Sequence, residues 1–246
     1  MRGIIKVPQK IYLRNDTAVN ELYDWGKKVS LEYFERIYKK LGTKFDFKFF
    51  ESKTGEYGKK VVEENIGRGI FEKSEGAIVF KGEPHGLHTR VFINSEGLPT
   101  YEAKELGLAK IKYAEYPYER SIVVTSNEVN SYFKVLIHLI NEIYPELKDK
   151  TKHISHGMLR LPTGKMSSRT GDVMTAESLI SAVEALVHEK IADREIVKHE
   201  KDLISEKVAI GAIKYSILRQ KPGKDVIFDF AKSISFEGDS GPYLQY

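Results

Sequence analysis

The sequence has no cysteine among its 246 residues. This excludes disulfide bonds and thiolate zinc sites, and it leaves only oxygen and imidazole groups as ligands for a metal. The sequence also lacks an apolar run of the roughly 20 residues that a membrane helix requires. Its first segment, MRGIIKVPQKIYLRNDTA, has neither the apolar stretch nor the small-residue cleavage site of a secretory signal. We therefore expect a cytoplasmic protein.

The chain has only a small excess of positive charge. It contains 39 Lys and Arg residues and 35 Asp and Glu residues, which gives a formal net charge of +4. These residues are spread along the chain, so the charge favours an anionic partner only weakly and is not that of a basic nucleic-acid-binding arm. Low-complexity tracts and internal repeats are missing. Hydrophobic residues make up 41% of the chain, which predicts a folded protein with a substantial core.

Apolar periodicity predicts a series of helices and strands. Spacings of three and four residues predict a helix over about Thr17 to Leu41 with one buried face. That face comprises Leu22, Trp25, Val29, Tyr33 and Ile37. The predicted strands are FDFKFF (45–50), GAIVF (76–80), TRVFI (89–93), RSIVVT (120–125) and HISHGMLRL (153–161), with the second and third forming a β-hairpin.

Further helices are predicted after most of these strands. They run to about Gly67, over Thr100 to Ala109, to Tyr144, after a Thr175 cap, and over about Ile196 to Leu218. RSIVVT is apolar without alternation, which is typical of a buried parallel strand. The order strand, helix, strand predicts an α/β protein with parallel crossovers and some antiparallel elaboration. A domain boundary is expected near residues 170–176, after which the pattern is helical.

One loop combines two positive charges and two hydroxyl groups between Gly164 and Gly171. The four residues are Lys165, Ser167, Ser168 and Arg169. Such a loop can hold a polyphosphate and stabilise the charge that develops on phosphoryl oxygens during transfer. Composition alone favours the simpler interpretation, a solvated basic surface turn.

The sequence around this loop, LPTGKMSSRTGDV, resembles the KMSKS signature loop of class I aminoacyl-tRNA synthetases, in the form of the arginyl-tRNA synthetases. Three more segments resemble that family in the same order: IYKKLGTKFDFKFFES, GLPTYEAKEL and FEGDSGPYLQY. The resemblance implies a Rossmann-type nucleotide-binding fold with an inserted α+β segment. Residues 1–172 would be the second part of the catalytic domain, and residues 173–246 a helical segment that leads toward an anticodon-binding domain.

The resemblance also implies a reaction. Arginine attacks the α-phosphate of ATP, which is accompanied by Mg²⁺, and the resulting arginyl-adenylate passes its arginyl group to tRNA-Arg. By the same resemblance Lys165, with the other polar residues of the loop, holds the leaving pyrophosphate, and Gly157 and Met158 line the adenine pocket. No dedicated metal site is visible in the sequence, and we expect a monomer.

The segment TYEAKEL contains the residues expected to select arginine. Tyr101 and Glu105 are four residues apart and share one helix face. A carboxylate accepts a guanidinium through two hydrogen bonds, and a phenol donates to it or stacks beside it. The family has Asp where this chain has Glu105, and usually Gln at the position of Val129. Without the resemblance, a tyrosine in the core and a glutamate in solvent would be the simpler interpretation.

The second signature of class I synthetases, HIGH, does not occur in the sequence. PHGLH (84–88) precedes a strand rather than a helix, so we interpret it as a hairpin connection. His153 and His156 are predicted to point to opposite faces of a strand, which argues against a zinc site. We therefore expect the central part of a synthetase, inactive by itself. Two alternatives stay open: another nucleotidyl transferase with a KMSKS-like loop, and a non-catalytic tRNA-binding or regulatory module derived from a synthetase.

Overall fold

The computed structural model describes residues 17–160, 174–235 and 237–245. These residues form two compact units. The first contains residues 17–46, 174–215, 230–235 and 237–245, and the second contains residues 47–160 and 216–229. Each unit therefore combines segments that are far apart in the sequence, and the domain boundary after residue 172 stays a prediction.

Eight helices and seven strands are present in the described residues. The helices are α1 (Thr17–Lys40), α2 (Glu51–Glu64), α3 (Tyr101–Glu115), α4 (Asn130–Ile143), α5 (Ala176–Lys190), α6 (Lys198–Leu218), α7 (Phe230–Ser233) and α8 (Gly241–Gln245). The strands are β1 (Glu72–Ser74), β2 (Ala77–Phe80), β3 (Arg90–Ile93), β4 (Ser121–Ser126), β5 (Thr151–His156), β6 (Leu159–Arg160) and β7 (Val226–Ile227). No helix in these parts of the chain is long and apolar enough to cross a membrane.

The first unit is built from α1, α5, α6 and the two short C-terminal helices. The predicted cap of α5 is confirmed, since the Thr175 hydroxyl accepts a hydrogen bond from the Ser178 backbone N–H at 3.1 Å. Leu179, Val183 and Val187 recur at helical spacing along α5 and are buried. Polar contacts join α1 to α5, because the Tyr33 hydroxyl donates to Glu177 Oε2 at 2.8 Å.

Helix α1 confirms the predicted helix but not its predicted buried face. Ile37 is buried, whereas Leu22 is 65% and Trp25 64% exposed, and Val29 is exposed as well. The prediction of one continuous buried face is therefore wrong. Periodicity identifies the side of a helix that is apolar, and it does not show whether another element lies against that side.

The second unit contains a three-stranded antiparallel sheet in the order β1, β2, β3. The predicted hairpin of β2 and β3 is confirmed, and β1 was not predicted. Glu75 and Gly76 connect β1 to β2 with φ of 48° and 79°, the left-handed conformation that a tight hairpin turn requires. After β3, the side chain of Asn94 stabilises the turn at residues 94–97 by accepting hydrogen bonds from the backbone N–H groups of Glu96 and Leu98.

Strands β4 and β5 pair in parallel from Ser121↔Thr151 to Ser126↔His156 and are connected through α4. This strand, helix, strand unit confirms the α/β class. One side of the pair lies against the core, where the His153 ring stacks on Phe133 with ring centroids 4.1 Å apart. On the other side Ile122 and Val124 are exposed, so the prediction that RSIVVT is buried is wrong for that side.

Two further strand predictions are corrected. FDFKFF is irregular rather than a strand. Its aromatic rings pack against other rings, and the ring centroids of Phe47 and Tyr116 are 6.0 Å apart. HISHGMLRL is not one strand, because the chain leaves β5 at Gly157 and pairs β6 with β7. A Cβ atom on Gly157 would lie 2.1 Å from the backbone of Lys224, so this close approach requires glycine and marks the break.

Helices α2 and α3 approach each other closely enough for their backbones to touch. A Cβ atom on Gly58 would lie 1.8 Å from the carbonyl oxygen of Ala103, and one on Gly107 would lie 2.1 Å from the carbonyl oxygen of Thr54. Both glycines are therefore needed for the contact. Ala103 and Leu106 of α3 are fully buried in the adjacent core, so the position of α3 is fixed on two sides.

We predict that Gly58→Ala destabilises the protein by up to about 2 kcal/mol, because overpacking costs roughly 1–3 kcal/mol and a Cβ atom 1.8 Å from a carbonyl oxygen belongs at the upper end of that range. The higher helix propensity of alanine stabilises the helix by about 1 kcal/mol and offsets part of this cost. The measurement is the free energy of unfolding in urea. Gly67→Ala is the control, since Gly67 is exposed and a Cβ atom there meets nothing within 4 Å. Equal stability of the two variants would contradict the close contact.

Candidate functional site

A cavity of about 510 Å³ lies in the second unit where α3, β4 and α4 meet. Its lining residues are Arg90, Tyr101, Glu102, Glu105, Thr125, Ser126, Glu128, Val129, Tyr132 and Phe133. The first turns of α3, the carboxyl end of β4 and the start of α4 contribute most of them. The carboxyl end of a parallel strand is the usual place for a ligand in an open α/β sheet.

Tyr101 and Glu105 both line this cavity, as their spacing on one helix face predicts. The start of α3 is tied to β3, because the Thr100 hydroxyl donates to the carbonyl oxygen of Val91 at 2.7 Å. Tyr101 is 66% exposed and Glu105 is half-buried, the reverse of a core tyrosine and a solvated glutamate. The structure therefore brings the two residues together, and their arginine-binding role stays a prediction.

The charges of the lining are unequal. Three carboxylates, those of Glu102, Glu105 and Glu128, accompany one guanidinium, that of Arg90, which leaves a formal charge of −2. Arg90 is partly neutralised by Glu102, with 3.7 Å between the guanidinium nitrogen and the carboxylate oxygen. Its guanidinium also donates to Ser131 Oγ at 3.3 Å. Such a cavity attracts a cation.

Burial raises the pKa of the Glu105 carboxyl above its usual range, the positive charge of Lys112 opposes this shift, and the negative charge of Glu51 adds to it. Burial also lowers the pKa of Lys112, whose ammonium donates to Ser121 Oγ at 2.7 Å. The nearby positive charge of Lys112 therefore only partly replaces the hydration that the Glu105 carboxylate loses on burial. A cationic ligand beside it would favour its charged form.

The aromatic residues of the cavity provide flat apolar surfaces beside these charges. Burial raises the pKa of Tyr132 far above its usual range, so its phenol stays neutral. The ammonium of Lys104 lies 5.0 Å from the centre of the Tyr101 ring and pairs with Glu51 Oε2 at 2.8 Å. This pair supports the exposed Tyr101 ring from the side of α2.

Gly157 and Met158 lie at the junction of β5, β6 and β7 and are not among the residues that line the cavity. The backbone N–H of Met158 donates to Asp225 Oδ1 at 2.9 Å, and its carbonyl oxygen accepts from Val226 at 2.9 Å. The Gly157 carbonyl oxygen lies 2.7 Å from His156 Nδ1. These backbone groups are already engaged within the chain, and the adenine-binding role of the two residues stays a prediction.

The remaining predicted site residues, Lys165, Ser167, Ser168 and Arg169, lie outside the described residues. PHGLH lies in the connection between β2 and β3, which begins with a short 3₁₀ turn at Glu83–His85, and this confirms the predicted hairpin connection. In the described ranges no three His, Asp or Glu side chains are arranged to hold one metal ion.

Sequence reasoning missed Arg90, Glu102 and Tyr132. Glu102 is three residues before Glu105, so helical spacing was sufficient to place it on the same face. Tyr132 is likewise three residues after Val129, the position at which the family resembled usually has Gln. Arg90 gave no such signal, because its position depends on the pairing of β3 with β2 and on how that sheet packs beside α4.

Comparison with known proteins identifies the family of this chain. The family model for the catalytic domain of the class I (R) tRNA synthetases matches residues 11–230. The chain belongs to this family. An arginine–tRNA ligase of Treponema denticola is 34% identical over 232 residues, which cover 92% of this chain and 39% of that protein. A Bacteroides fragilis arginine–tRNA ligase is 34% identical over 218 residues, covering 87% of this chain and 36% of the relative.

Solved structures show the same fold. The arginyl-tRNA synthetase of Plasmodium falciparum matches with a TM-score of 0.79 and 18% identity, over 97% of this chain and 41% of that one. The Thermus thermophilus arginyl-tRNA synthetase matches with a TM-score of 0.66 and 22% identity, over 96% and 48% of the two chains. The synthetase family and its catalytic-domain fold, predicted from four segments, are therefore confirmed. The chain spans about two fifths of the length of its curated relatives.

We predict that Glu105→Gln becomes more stable relative to the parent protein as the pH rises. Because the pKa of Glu105 is raised on folding, the parent has its full contribution from this group below the unfolded pKa of about 4.3. As the pH rises through the higher pKa that Glu105 has in the folded protein, the carboxyl ionises in its half-buried position and the parent loses this contribution to its free energy of unfolding. Glu105→Gln has no carboxyl to ionise and does not lose stability in this way. Urea unfolding between pH 4 and 7 measures the difference.

Glu115→Gln is the matched control, since Glu115 is exposed at the end of the same helix. Its stability relative to the parent should change less with pH than that of Glu105→Gln. A difference between Glu105→Gln and the parent that stayed constant, or that reversed sign as the pH rose, would contradict the burial of Glu105.

Proposed function

We propose that this chain is the arginine-selecting part of an arginine–tRNA ligase. The relatives that carry this name support the activity. The observation that carries the proposal is the half-buried Glu105 carboxylate in a cavity with a formal charge of −2 at the carboxyl end of β4. Arginine is the amino acid whose side chain is always cationic at physiological pH.

In the proposed complex the guanidinium of the substrate faces Glu105. A carboxylate accepts two parallel N–H donors from a guanidinium, and the pair is stronger where water is partly excluded. Tyr132 and Tyr101 offer faces on which the planar guanidinium stacks. Arg90, held by Glu102 and Ser131, reduces the negative charge at one side of the cavity and leaves Glu105 as the acceptor.

The proposal extends to the residues outside the cavity. Lys165, supported by Ser167, Ser168 and Arg169, would hold the pyrophosphate that leaves when the arginine carboxylate attacks the α-phosphate of ATP. Mg²⁺ would arrive bound to the ATP phosphates, and Gly157 and Met158 would line the adenine pocket. The arginyl group would then pass to tRNA-Arg. We further propose that the protein is cytoplasmic and monomeric.

The proposal predicts selective binding of an arginyl-adenylate analogue. Calorimetric titration at one ionic strength with non-hydrolysable arginyl-, lysyl- and glutamyl-adenylates should show binding of the arginyl compound alone. Glu105→Gln should weaken it about tenfold or more, the cost of losing a charge-assisted hydrogen bond. Affinity should also fall as the pH falls through the raised pKa of Glu105, because a protonated carboxyl cannot pair with the guanidinium.

Glu115→Gln removes the same charge outside the cavity and should leave the affinity unchanged. If a folded chain bound all three analogues equally, the assignment of arginine would be wrong. If it bound none, the interpretation as a non-catalytic tRNA-binding or regulatory module would replace the proposal.

A further inference from the structure

A second cavity, of about 390 Å³, lies between α5 and α6 in the first unit. Its polar lining residues are Ser181, Glu184, His188, Asp202, Ser205 and Glu206. Three of the six are carboxylates, and the only group among them that can become positive is the imidazole of His188. None of these residues belongs to the proposed arginine site. The cavity thus offers a separate, strongly acidic surface to a cation.

The chain already places one ammonium group at this cavity. Lys40, the last residue of α1, has its Nζ 3.5 Å from Glu184 Oε1 and 3.7 Å from Glu206 Oε1. Hydrogen bonds between an ammonium and a carboxylate are usually about 2.7–2.9 Å long, so both contacts are loose. The space between Glu184 and Glu206 therefore accepts an ammonium group, and Lys40 does not saturate it.

Ser205 gives a second, independent indication of a ligand. It lines the cavity, is only 3% exposed, and its hydroxyl has no hydrogen-bond partner within the described parts of the chain. Buried hydroxyl groups in folded proteins are normally paired. Asp202 is three residues before Ser205 and shares its helix face, so a donor that reaches the hydroxyl also approaches a carboxylate.

The arrangement of the charges indicates the chemistry of the ligand. Across the described residues no three carboxylate or imidazole groups lie close enough to share one metal ion. Glu184 and Glu206 share Lys40, whereas Asp202 pairs with His188, with 3.2 Å between Oδ1 and Nε2. Separated carboxylates match a cation whose charges are separated too. A linear polyamine has this property, and each terminal ammonium carries three donors.

We propose that the cavity between α5 and α6 binds a linear polyamine, and that Lys40 competes with this ligand for Glu184 and Glu206. The ligand ammonium takes the loosely held place of the Lys40 side chain. Another amino group of the ligand reaches toward Asp202 and Ser205. This site is independent of the arginine cavity and of its ligand.

Calorimetric titration of spermidine into the chain at fixed ionic strength tests the proposal. The parent should show saturable binding to one site. Glu206→Gln should weaken binding about tenfold, the loss expected for one charge-assisted contact. Lys40→Met should strengthen binding several-fold, because the competing ammonium is gone. This gain cannot result from a damaged fold.

Glu189→Gln is the matched control, since it removes a negative charge from the exposed side of α5 outside the cavity. It should leave the affinity unchanged. Non-saturable binding, equal weakening in Glu189→Gln and Glu206→Gln, or no gain in Lys40→Met would overturn the proposal. Displacement of spermidine by Mg²⁺ at equal ionic strength would do the same. Tighter binding of a tetralysine peptide with the same dependence on Glu206 would assign the site to a protein lysine instead.

Discussion

The contact between α2 and α3 at Gly58 and Gly107 is the constraint on which the candidate site depends. The two helices touch through backbone atoms there, so no side chain can adjust the distance between them. Ala103 and Leu106 bury the inner face of α3. The outer face of its first turns, which holds the acidic and aromatic residues of the cavity, is thereby fixed relative to β4 and α4. The proposed arginine site, which would have to align a planar guanidinium, benefits from such a rigid support.

The electrostatics of the cavity follow from this placement. Glu105 is carried into a half-buried position where loss of hydration raises its pKa and Lys112 compensates only in part. An ionised carboxylate in such a place lowers stability in the absence of a ligand. The same residue gains most when a guanidinium supplies the missing partner. The ionised Glu105 thus lowers the free energy of unfolding, and it does so at the position where the proposed selective binding requires an accessible negative charge.

Most helices and the βαβ unit were predictable because their signals are local. The spacing of apolar residues, the Thr175 cap and the hairpin of β2 and β3 each depend on a few neighbouring residues. The placement of Tyr101 and Glu105 on one face of α3, where both line the cavity, was predictable for the same reason. The errors concern long-range packing. Neither the exposure of Trp25 and Ile122 nor the presence of Arg90 in the cavity can be read from local pattern.

The proposed selection of arginine depends most directly on Glu105 as the acceptor of the guanidinium. Titration of the Glu105 side-chain carboxyl by ¹³C NMR, with and without arginine, measures this property at a single residue. We expect a pKa of Glu105 above the usual glutamate range in the free protein and a lower pKa when arginine is bound, with no such change for citrulline, whose side chain has no charge. A pKa unaffected by arginine would contradict this proposal.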